Sequence, residues 1–523
     1  MSKANGRAHV LIAGGGVAGL EAMLALSALA EGLVEVELLS PDPEFVYRPM
    51  LVAEPFGAAE VLRIDLGQVT GDAGAHHTRD ALASVDPDRR LVATASGATI
   101  PYESLLVAVG ASPVEAVPGS LTFGGDEERH AFGDVLAAFG RRGAERIAFV
   151  VPREVSWSIA AYELALLTAA ERDARRLYGT DIVLVTHEGS PLEVFGPAIS
   201  QLVAARLEEA RVSLRTASSA DRVVDGSLHL ESGEQLEQAA VVALPGLRVP
   251  RIAGLPQRDG GFVQTDVRMR VTGLESVWAA GDATWFPIKQ GGLAAQQSDV
   301  AARSIAVAAG AHVPVEPFQP VLRAALITGG APEFLRSHLP NRGEGEATAS
   351  RGLWWPPTKV AGKYLGPYLS RRGGEEPGVE ELEDLSPAPD RAADSAEHEL
   401  AIALVLSAAD ADAAVGDFES ALRWLAFVEQ LDFTVPAPYV AHRYEWRREL
   451  EPGLTPDAAA ARIDPTFKSA EAAMTDLQRR LGWLREFERR TEGEMRGRLS
   501  DLDTGMEQLR VLTKRAGIFK RAG

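Results

Sequence analysis

The chain of 523 residues contains no cysteine. This absence excludes disulfides, thiolate nucleophiles, cysteine-ligated zinc and iron–sulfur clusters. It equally excludes any redox mechanism that relays electrons through a cysteine pair. We predict no metal site.

Long apolar runs are also absent, since no segment reaches the roughly 18 consecutive apolar residues of a membrane-spanning helix. Lys3 and Arg7 precede an apolar stretch, as in a signal peptide, but Gly14-Gly15-Gly16 interrupts that stretch and no cleavage site follows it. We therefore expect a cytoplasmic protein without a transmembrane segment, and peripheral membrane contact stays open.

Positive charge is scarce, with 53 Lys and Arg against 73 Asp and Glu, for a formal net charge of −20. A field of this sign repels nucleic-acid phosphate and anionic lipid. No nucleic-acid partner is expected.

A βαβ unit opens the chain. The apolar run His9 to Ala13 predicts a buried parallel strand, Leu20 to Ala30 predicts a helix, and Val34 to Leu39 predicts the next strand. Between the first strand and the helix lies Gly-x-Gly-x-x-Gly, in the one context where this pattern indicates dinucleotide binding.

The residues of this turn have distinct roles in that interpretation. Gly14 permits the tight turn, Gly16 lets the backbone approach a pyrophosphate, and Gly19 lets the helix pack on the strand. The helix N-terminus, at Val17 and Ala18, offers N–H groups and partial positive charge to the phosphates. Ser40 stands where an acid normally binds the adenosine ribose, and its hydroxyl is a weaker candidate for that contact.

Two further motifs end predicted strands. Residues 102–111 form a strand that ends in a glycine turn at Ala108 and Gly110. Residues 277–283 form another strand that ends in Gly281-Asp282. That motif leads through Gly292 into a helix of small residues beginning at Leu293.

Taken in this order, the three motifs resemble those of the two-dinucleotide-binding-domain flavoproteins, over about residues 8 to 370. The resemblance implies an α/β fold with two Rossmann-like domains of glutathione-reductase-like architecture, and FAD as cofactor. It places the Asp282 carboxylate on the FAD ribitol and the helix N-terminus at Gly292 and Leu293 near the flavin pyrimidine edge.

Finer resemblance is to type II NADH dehydrogenases and sulfide:quinone oxidoreductases. The loop of residues 45–50, which contains Arg48, is similar to their flavin-side loop. Pro287 to Gly292 is similar to a lysine-glycine segment near the flavin in the latter group, which makes Lys289 a candidate catalytic residue.

The second strand–helix–strand unit, predicted at residues 146–151, 162–170 and 181–186, lacks the glycine motif. Its loop of residues 152–161 contains no glycine and carries Arg153, Glu154 and Trp157 where a pyrophosphate must touch backbone. Ordinary NAD(P)H binding is disfavoured, and sulfide:quinone oxidoreductases show a similar loss.

Glu163 has two interpretations. It aligns with a glutamate that relays protons beside the flavin and quinone of type II NADH dehydrogenases, and a flavin cycle needs such a group. It also suits an ordinary salt bridge on a helix.

The sequence predicts the following organisation: residues 1–112 with 255–318 as the FAD domain, 113–254 as the second Rossmann domain, 319–372 as a flavin-side interface segment, 373–397 as an acidic linker, 398–440 as a tetratricopeptide-like hairpin, and 455–523 as a coiled-coil-like tail. The fold class is thus α/β with a C-terminal all-α extension. The segment that holds Trp354-Trp355-Pro356-Pro357 suits a flavin lid, a quinone channel, a membrane contact or an interface.

Three functional hypotheses follow. The first is a flavoenzyme that passes electrons through FAD to a small partner, with a quinone favoured. The second is an NAD(P)H dehydrogenase with an atypical nucleotide site. The third is a non-catalytic FAD-binding scaffold whose helical tail recruits a protein partner. Homo-oligomerisation through the C-terminal helices is expected in each case.

Overall fold

The computed structural model describes residues 6–124, 126–138, 146–155, 157–177, 179–237, 239–339, 347–349, 353–354, 357–372 and parts of 405–466. The chain divides into two compact units, residues 1–386 and residues 387–523. The predicted linker, the predicted tail apart from residues 464 and 466, and Trp355 and Pro356 lie outside the described residues.

The first Rossmann domain begins with nine strands and two helices. They are β1 (Ala8–Ala13), α1 (Val17–Leu29), β2 (Val34–Leu39), β3 (Glu44–Val46), β4 (Arg63–Asp65), α2 (Leu66–Asp72), β5 (His76–Thr78), β6 (Leu82–Asp86), β7 (Leu91–Thr94), β8 (Thr99–Pro101) and β9 (Ser104–Val107).

The second domain follows. Its elements are β10 (Ser112–Val114), β11 (Leu121–Thr122), α3 (Asp126–Ala138), β12 (Arg146–Val151), α4 (Ile159–Ala174), β13 (Asp181–Thr186), α5 (Pro197–Glu209), β14 (Ser213–Arg215), β15 (Ala220–Val224), β16 (Ser227–Leu230), β17 (Gln235–Leu236), β18 (Ala239–Ala243) and β19 (Gly246–Arg248).

The chain then returns to the first domain and continues into an antiparallel sheet. These elements are β20 (Val277–Ala279), α6 (Gly291–Ala308), β21 (Val321–Leu326), β22 (Glu333–His338), β23 (Ala347–Ala349) and α7 (Leu365–Arg372).

Each Rossmann domain has a five-stranded parallel sheet at its centre, in the orders β20-β9-β1-β2-β5 and β11-β18-β12-β13-β14. The central strands β1 and β12 are almost wholly buried because their residues are apolar on both faces. Antiparallel pairing of β10 with β19 joins the two strands that connect the domains. The predicted α/β fold with two Rossmann domains is confirmed.

The predicted strands at 34–39, 146–151 and 181–186 match the observed bounds, whereas α1, α4 and α6 begin earlier than predicted. Helix α4 begins at Ile159 instead of Tyr162, with Ser158 as its N-cap. Helix α6 extends to Ala308 because its small residues pack closely against α1.

Helix α1 is apolar on every side and is buried, with one charged exception. The fully buried Glu21 accepts the Tyr364 N–H at 3.0 Å and the Leu365 N–H at 2.7 Å. It therefore caps α7, and burial raises the Glu21 pKa to about 7. This contact ties the segment of residues 357–372 to the helix that follows the glycine turn.

Most of the described residues of the second unit are helical, which confirms the all-α extension. Helix α8 (Phe418–Gln430) is capped by Asp417, whose Oδ1 accepts the Ser420 N–H at 3.1 Å. The buried Trp424 donates its indole N–H to Asp412 at 2.9 Å. The tetratricopeptide-like arrangement and the domain boundaries stay predictions.

Across the described part of the chain, no helix combines the length and the apolar character needed to cross a membrane.

Candidate functional site

The carboxyl edge of the first parallel sheet brings the three sequence motifs together. The glycine turn follows β1, Ala108 and Gly110 follow β9, and Gly281-Asp282 follows β20. This edge is where open α/β sheets bind their ligands.

Two glycines of the turn are required by close packing. Gly14 has a φ of +120°, and a Cβ there would lie 2.1 Å from the Ala108 carbonyl oxygen. A Cβ on Gly19 would lie 1.9 Å from the Gly14 carbonyl oxygen. Any side chain at these positions would push β1, β9 and α1 apart.

Gly16 differs, because a Cβ there would meet no protein atom within 4 Å. It is the N-cap of α1, and no side chain caps this helix. Gly16 is exposed, so the first N–H groups of α1, including those of Val17 and Ala18, lie next to an open space, which we call the recess. A recess of this kind suits a pyrophosphate, which needs backbone contact and an anion-binding helix end.

The Ser40 hydroxyl is buried and has no hydrogen-bond partner among the described residues. A Cβ on Gly15 would lie 2.9 Å from its oxygen, so Ser40 lies directly beneath the turn. The predicted ribose contact stays a prediction.

The Gly281-Asp282 turn is held by α6. Gln297 accepts the Gly281 N–H at 2.7 Å, and Gly281 has a φ of +76°. A Cβ on Gly281 would lie 3.0 Å from the Cβ of Ala18, so this turn and the start of α1 are in contact.

The Asp282 carboxylate lies deep in the protein, yet the residue keeps accessible surface. No described residue donates a hydrogen bond to it. Burial raises its pKa, while the charges of Lys289 and Arg48 oppose that rise. The structure therefore brings Lys289 and Arg48, two of the residues predicted for the site, near a carboxylate that can accept hydrogen bonds from the hydroxyl groups of a ligand.

Lys289 donates a hydrogen bond to the Thr284 carbonyl oxygen, and its Nζ lies 4.1 Å from the centre of the Phe262 ring. Burial lowers its pKa to about 8, against the opposing effect of Asp282. An amine with this pKa exchanges protons close to neutral pH.

The N-terminus of α6 is capped by Gln290, whose Oε1 accepts the Leu293 N–H at 2.7 Å. A Cβ on Gly292 would lie 2.9 Å from that oxygen. The Leu293 N–H is thus bonded to the Gln290 side chain. The Gly291 and Gly292 N–H groups also have no acceptor within the helix.

Glu163 is fully buried on α4, and both of its carboxylate oxygens have partners. Oε1 accepts the Ile327 N–H at 3.0 Å, and Oε2 is 2.7 Å from Lys359 Nζ. Lys359 also donates to the Pro49 carbonyl oxygen at 2.9 Å. Burial raises the Glu163 pKa, and the Lys359 charge counters part of the rise. The salt-bridge interpretation is thus observed, and the proton-relay role stays a prediction.

The flavin-side loop and the aromatic segment are in contact. The Val360 N–H donates to the Tyr47 hydroxyl at 2.9 Å, next to the Lys359–Pro49 bond. Trp354 is fully buried against Phe334, with ring centroids 5.2 Å apart. At least this tryptophan packs within the fold.

In the second domain, the place of the missing glycine motif is filled by side chains. The Ser158 hydroxyl at the N-cap of α4 donates to Glu188 at 2.9 Å. Tyr162 and Thr186 donate to the same carboxylate at 2.7 and 2.8 Å. Burial raises the Glu188 pKa. A carboxylate in a cage of hydroxyls therefore lies where the carboxyl edge of this sheet meets α4.

Sequence reasoning missed Lys359, Gln297 and Glu188. Gln297 belongs to a small-residue helix and resembles any surface glutamine. Lys359 lies among prolines and glycines without a pattern of its own. Only their contacts reveal their roles.

The residues present fit FAD. The open recess at Gly16 suits the pyrophosphate, and the buried Asp282 carboxylate, which accepts no hydrogen bond from a described residue, suits a polyhydroxyl chain.

Comparison with known proteins agrees with a flavin-binding oxidoreductase fold. Residues 8–310, more than half of the chain, match the pyridine nucleotide-disulphide oxidoreductase family. NADH dehydrogenase-like proteins from two strains of Mycobacterium tuberculosis, CDC 1551 / Oshkosh and H37Rv, are each 31% identical over 298 residues. In both cases the match covers 52% of this chain and 72% of the relative.

Two solved structures share the fold. The sulfide:quinone oxidoreductase of Aquifex aeolicus has a TM-score of 0.59 at 19% identity, covering 65% of this chain and 86% of that one. A ferredoxin reductase of Rhodopseudomonas palustris has a TM-score of 0.50 at 18% identity, covering 63% and 82%. The chain therefore belongs to the pyridine nucleotide-disulphide oxidoreductase family and is an FAD-dependent oxidoreductase.

Proposed function

We propose that this enzyme passes electrons from its flavin to a quinone, and that Lys359, positioned by Glu163, donates a proton to the quinone. The buried Glu163–Lys359 pair carries the proposal, because it joins α4, the flavin-side loop at Pro49 and the end of β21 at Ile327. The fold neighbour from Aquifex aeolicus is named for the same class of acceptor.

The surroundings of the pair suit an apolar, proton-accepting substrate. Ile327, whose N–H bonds to Glu163, and Met50, which follows Pro49, are partly buried hydrophobic residues packed against the core. Quinone reduction consumes two electrons and two protons. Bound FAD supplies the electron pair. Lys359 keeps some exposed surface, at 11% of its side chain, and its ammonium has three hydrogens, two of which bond to Glu163 and to the Pro49 carbonyl oxygen.

Glu163 positions Lys359 and stores a proton. Its side chain is 1% exposed, so it reaches a substrate only through the lysine. Its raised pKa brings protonation closer to neutral pH, the range in which a proton donor is effective. Lys289 lies near Asp282 and holds a second exchangeable proton close to the predicted flavin position.

A disulfide acceptor is incompatible with this chain, although the family name refers to one. Dithiol relays require cysteines, and the sequence contains none. A freely diffusing acceptor that meets the flavin directly avoids this requirement.

The test uses the holoenzyme, photoreduced anaerobically and mixed with menadione. We expect flavin absorbance to return far faster than in buffer, and Lys359→Met to slow this return by at least about tenfold. Lys363→Met, a neighbouring lysine over the Tyr364 ring, is the matched control and should match wild type. Reoxidation no faster than in buffer would count against a quinone acceptor.

The names of the Mycobacterium relatives raise NADH as the electron donor. The Glu188 cage opposes this, because a carboxylate and the rings of Trp157 and Phe195, 5.6 Å apart, lie at the usual approach to a nicotinamide nucleotide. We expect NADH and NADPH to leave the flavin band unbleached under anaerobic conditions, whereas dithionite bleaches it. Rapid bleaching by either nucleotide would establish the NAD(P)H dehydrogenase hypothesis instead.

A further inference from the structure

One segment that contacts the turn of the predicted flavin site has a charge opposite in sign to that of this acidic chain. Residues 246–270 contain five arginines and two aspartates, with no lysine or glutamate, for a local charge of +3 (5 − 2) in a chain of net charge −20. All five arginines are exposed; they are Arg248, Arg251, Arg258, Arg268 and Arg270.

Backbone hydrogen bonds bring part of this segment against the turn that follows Asp282. Val263 donates to Ala283 at 2.8 Å, and Trp285 donates to Val263 at 2.7 Å. The Arg258 guanidinium lies 5.4 Å from the centre of the Trp285 ring. We call Arg248, Arg251, Arg258 and Trp285 the arginine face.

Trp285 is 44% exposed, and it is the only large apolar side chain exposed to this degree between residues 246 and 289, all of which are described. An exposed tryptophan paired with the Arg258 guanidinium, in a segment with further exposed arginines, has the composition of a protein-binding hot spot, since both residue types are enriched there. Membrane-surface binding requires a broader apolar face than one side chain.

Aromatic contacts lead inward from Trp285. Its ring centroid is 6.1 Å from that of Phe262, and Lys289 Nζ lies 4.1 Å from the Phe262 ring centre. Lys289 in turn acts on the Asp282 carboxylate. The arginine face is therefore one aromatic ring away from a residue of the predicted flavin site.

We propose that the arginine face docks a small acidic protein that carries single electrons, such as an iron–sulfur protein, and that this carrier reduces the flavin. The proposal names an electron donor for an enzyme in which the Glu188 cage opposes NAD(P)H and the absence of cysteine excludes a dithiol. It rests on the proposed function, in which the electrons pass from the flavin to a quinone.

The electrons balance with two carriers for each turnover. Two reduced carriers each lose one electron, and the flavin takes up both electrons with one proton from solvent. The quinone then takes the pair and two protons in total. The sum is two reduced carriers, one quinone and two protons giving two oxidised carriers and one quinol.

The experiment measures binding of an acidic plant-type [2Fe–2S] ferredoxin to the holoenzyme and to the FAD-free protein, at low and high ionic strength. We expect binding by both forms, weakened at least about tenfold by salt because charged pairs on a rim are screened. Trp285→Ala and the double variant Arg251→Glu/Arg258→Glu should each weaken binding by about tenfold or more.

Matched controls come from β15, on a different sheet. Val224→Ala and Arg222→Glu make comparable changes at exposed positions and should stay within about twofold of wild type. Circular dichroism and flavin content verify folding. Reduced ferredoxin should bleach the flavin of the wild type and of both controls. It should bleach the flavin of the two arginine-face variants much more slowly.

Three results would overturn the proposal. The first is ferredoxin binding that is absent or insensitive to salt. The second is a Trp285→Ala variant that no longer binds anionic phospholipid vesicles but still binds ferredoxin, and the third is dissociation of an oligomer by the same substitution. Menadione reoxidation of the photoreduced Trp285→Ala variant is measured in parallel. Because that assay bypasses the donor, it separates failure of the docking proposal from failure of the quinone proposal.

Discussion

Replacing Lys359 by methionine is expected to destabilise the protein by about 3 to 5 kcal/mol, because it leaves the Glu163 carboxylate buried without its counter-charge. Glu163 is 1% exposed and Lys359 is 11% exposed, so water cannot substitute for the missing ammonium. The remaining hydrogen bond from the Ile327 N–H satisfies one oxygen only. Urea denaturation followed by circular dichroism measures the change.

The loss should depend on pH in a defined direction. Burial already raises the Glu163 pKa above its ordinary value, and removing Lys359 raises it further. A carboxyl whose pKa is raised in the folded state costs stability as pH rises from its unfolded pKa through its folded pKa. The difference between wild type and Lys359→Met should therefore be larger near about pH 8 than near about pH 5.

Two variants separate the ion pair from the packing of the lysine chain. Lys363→Met changes a lysine of the same segment that lies over the Tyr364 ring and should cost less than about 1 kcal/mol. Glu163→Gln combined with Lys359→Met removes both charges and should recover much of the stability lost in the single variant. If Lys359→Met were no more destabilised than Lys363→Met, the pair would not be a source of stability.

Replacing Gly16 by alanine is expected to remove FAD while leaving the protein folded. Gly16 has a φ of −84°, which alanine adopts without strain, and the new methyl group would meet no protein atom within 4 Å. The space that it enters is the recess at the start of α1. A methyl group there keeps a pyrophosphate from the backbone N–H groups. We expect FAD affinity to fall by at least about tenfold.

The matched control is Gly71→Ala in α2. A Cβ at Gly71 also meets nothing within 4 Å, and that residue is exposed and helical. Both variants should unfold like wild type when FAD is absent. The ratio of flavin to protein absorbance then reports cofactor binding alone. Full flavin content in Gly16→Ala would place the pyrophosphate elsewhere.

The sequence by itself determined the cofactor, because the features that bind FAD are local. A φ of +120° at Gly14 and the close approach of Gly19 to Gly14 require glycine at set spacings within six residues. The same logic applied to residues 152–161, where the missing glycines predicted that the second nucleotide site has changed. Strand bounds were also predictable, since buried parallel strands are continuous apolar runs.

Only the tertiary structure decided which charged groups meet. Glu163 and Lys359 are 196 positions apart, and Glu163 on a helix is consistent with solvent or burial until α4 is packed. Glu188 lies two residues after the end of β13, close to where a ribose-binding acid ends its strand, but it is buried and accepts hydrogen bonds from three hydroxyls. The arginines of residues 246–270 look like scattered charges in the sequence until backbone pairing of Val263 with Ala283 and Trp285 brings Arg258 beside the Trp285 ring. In each case the deciding factors are burial and proximity between segments that are separated in the sequence, which packing creates and no local pattern encodes.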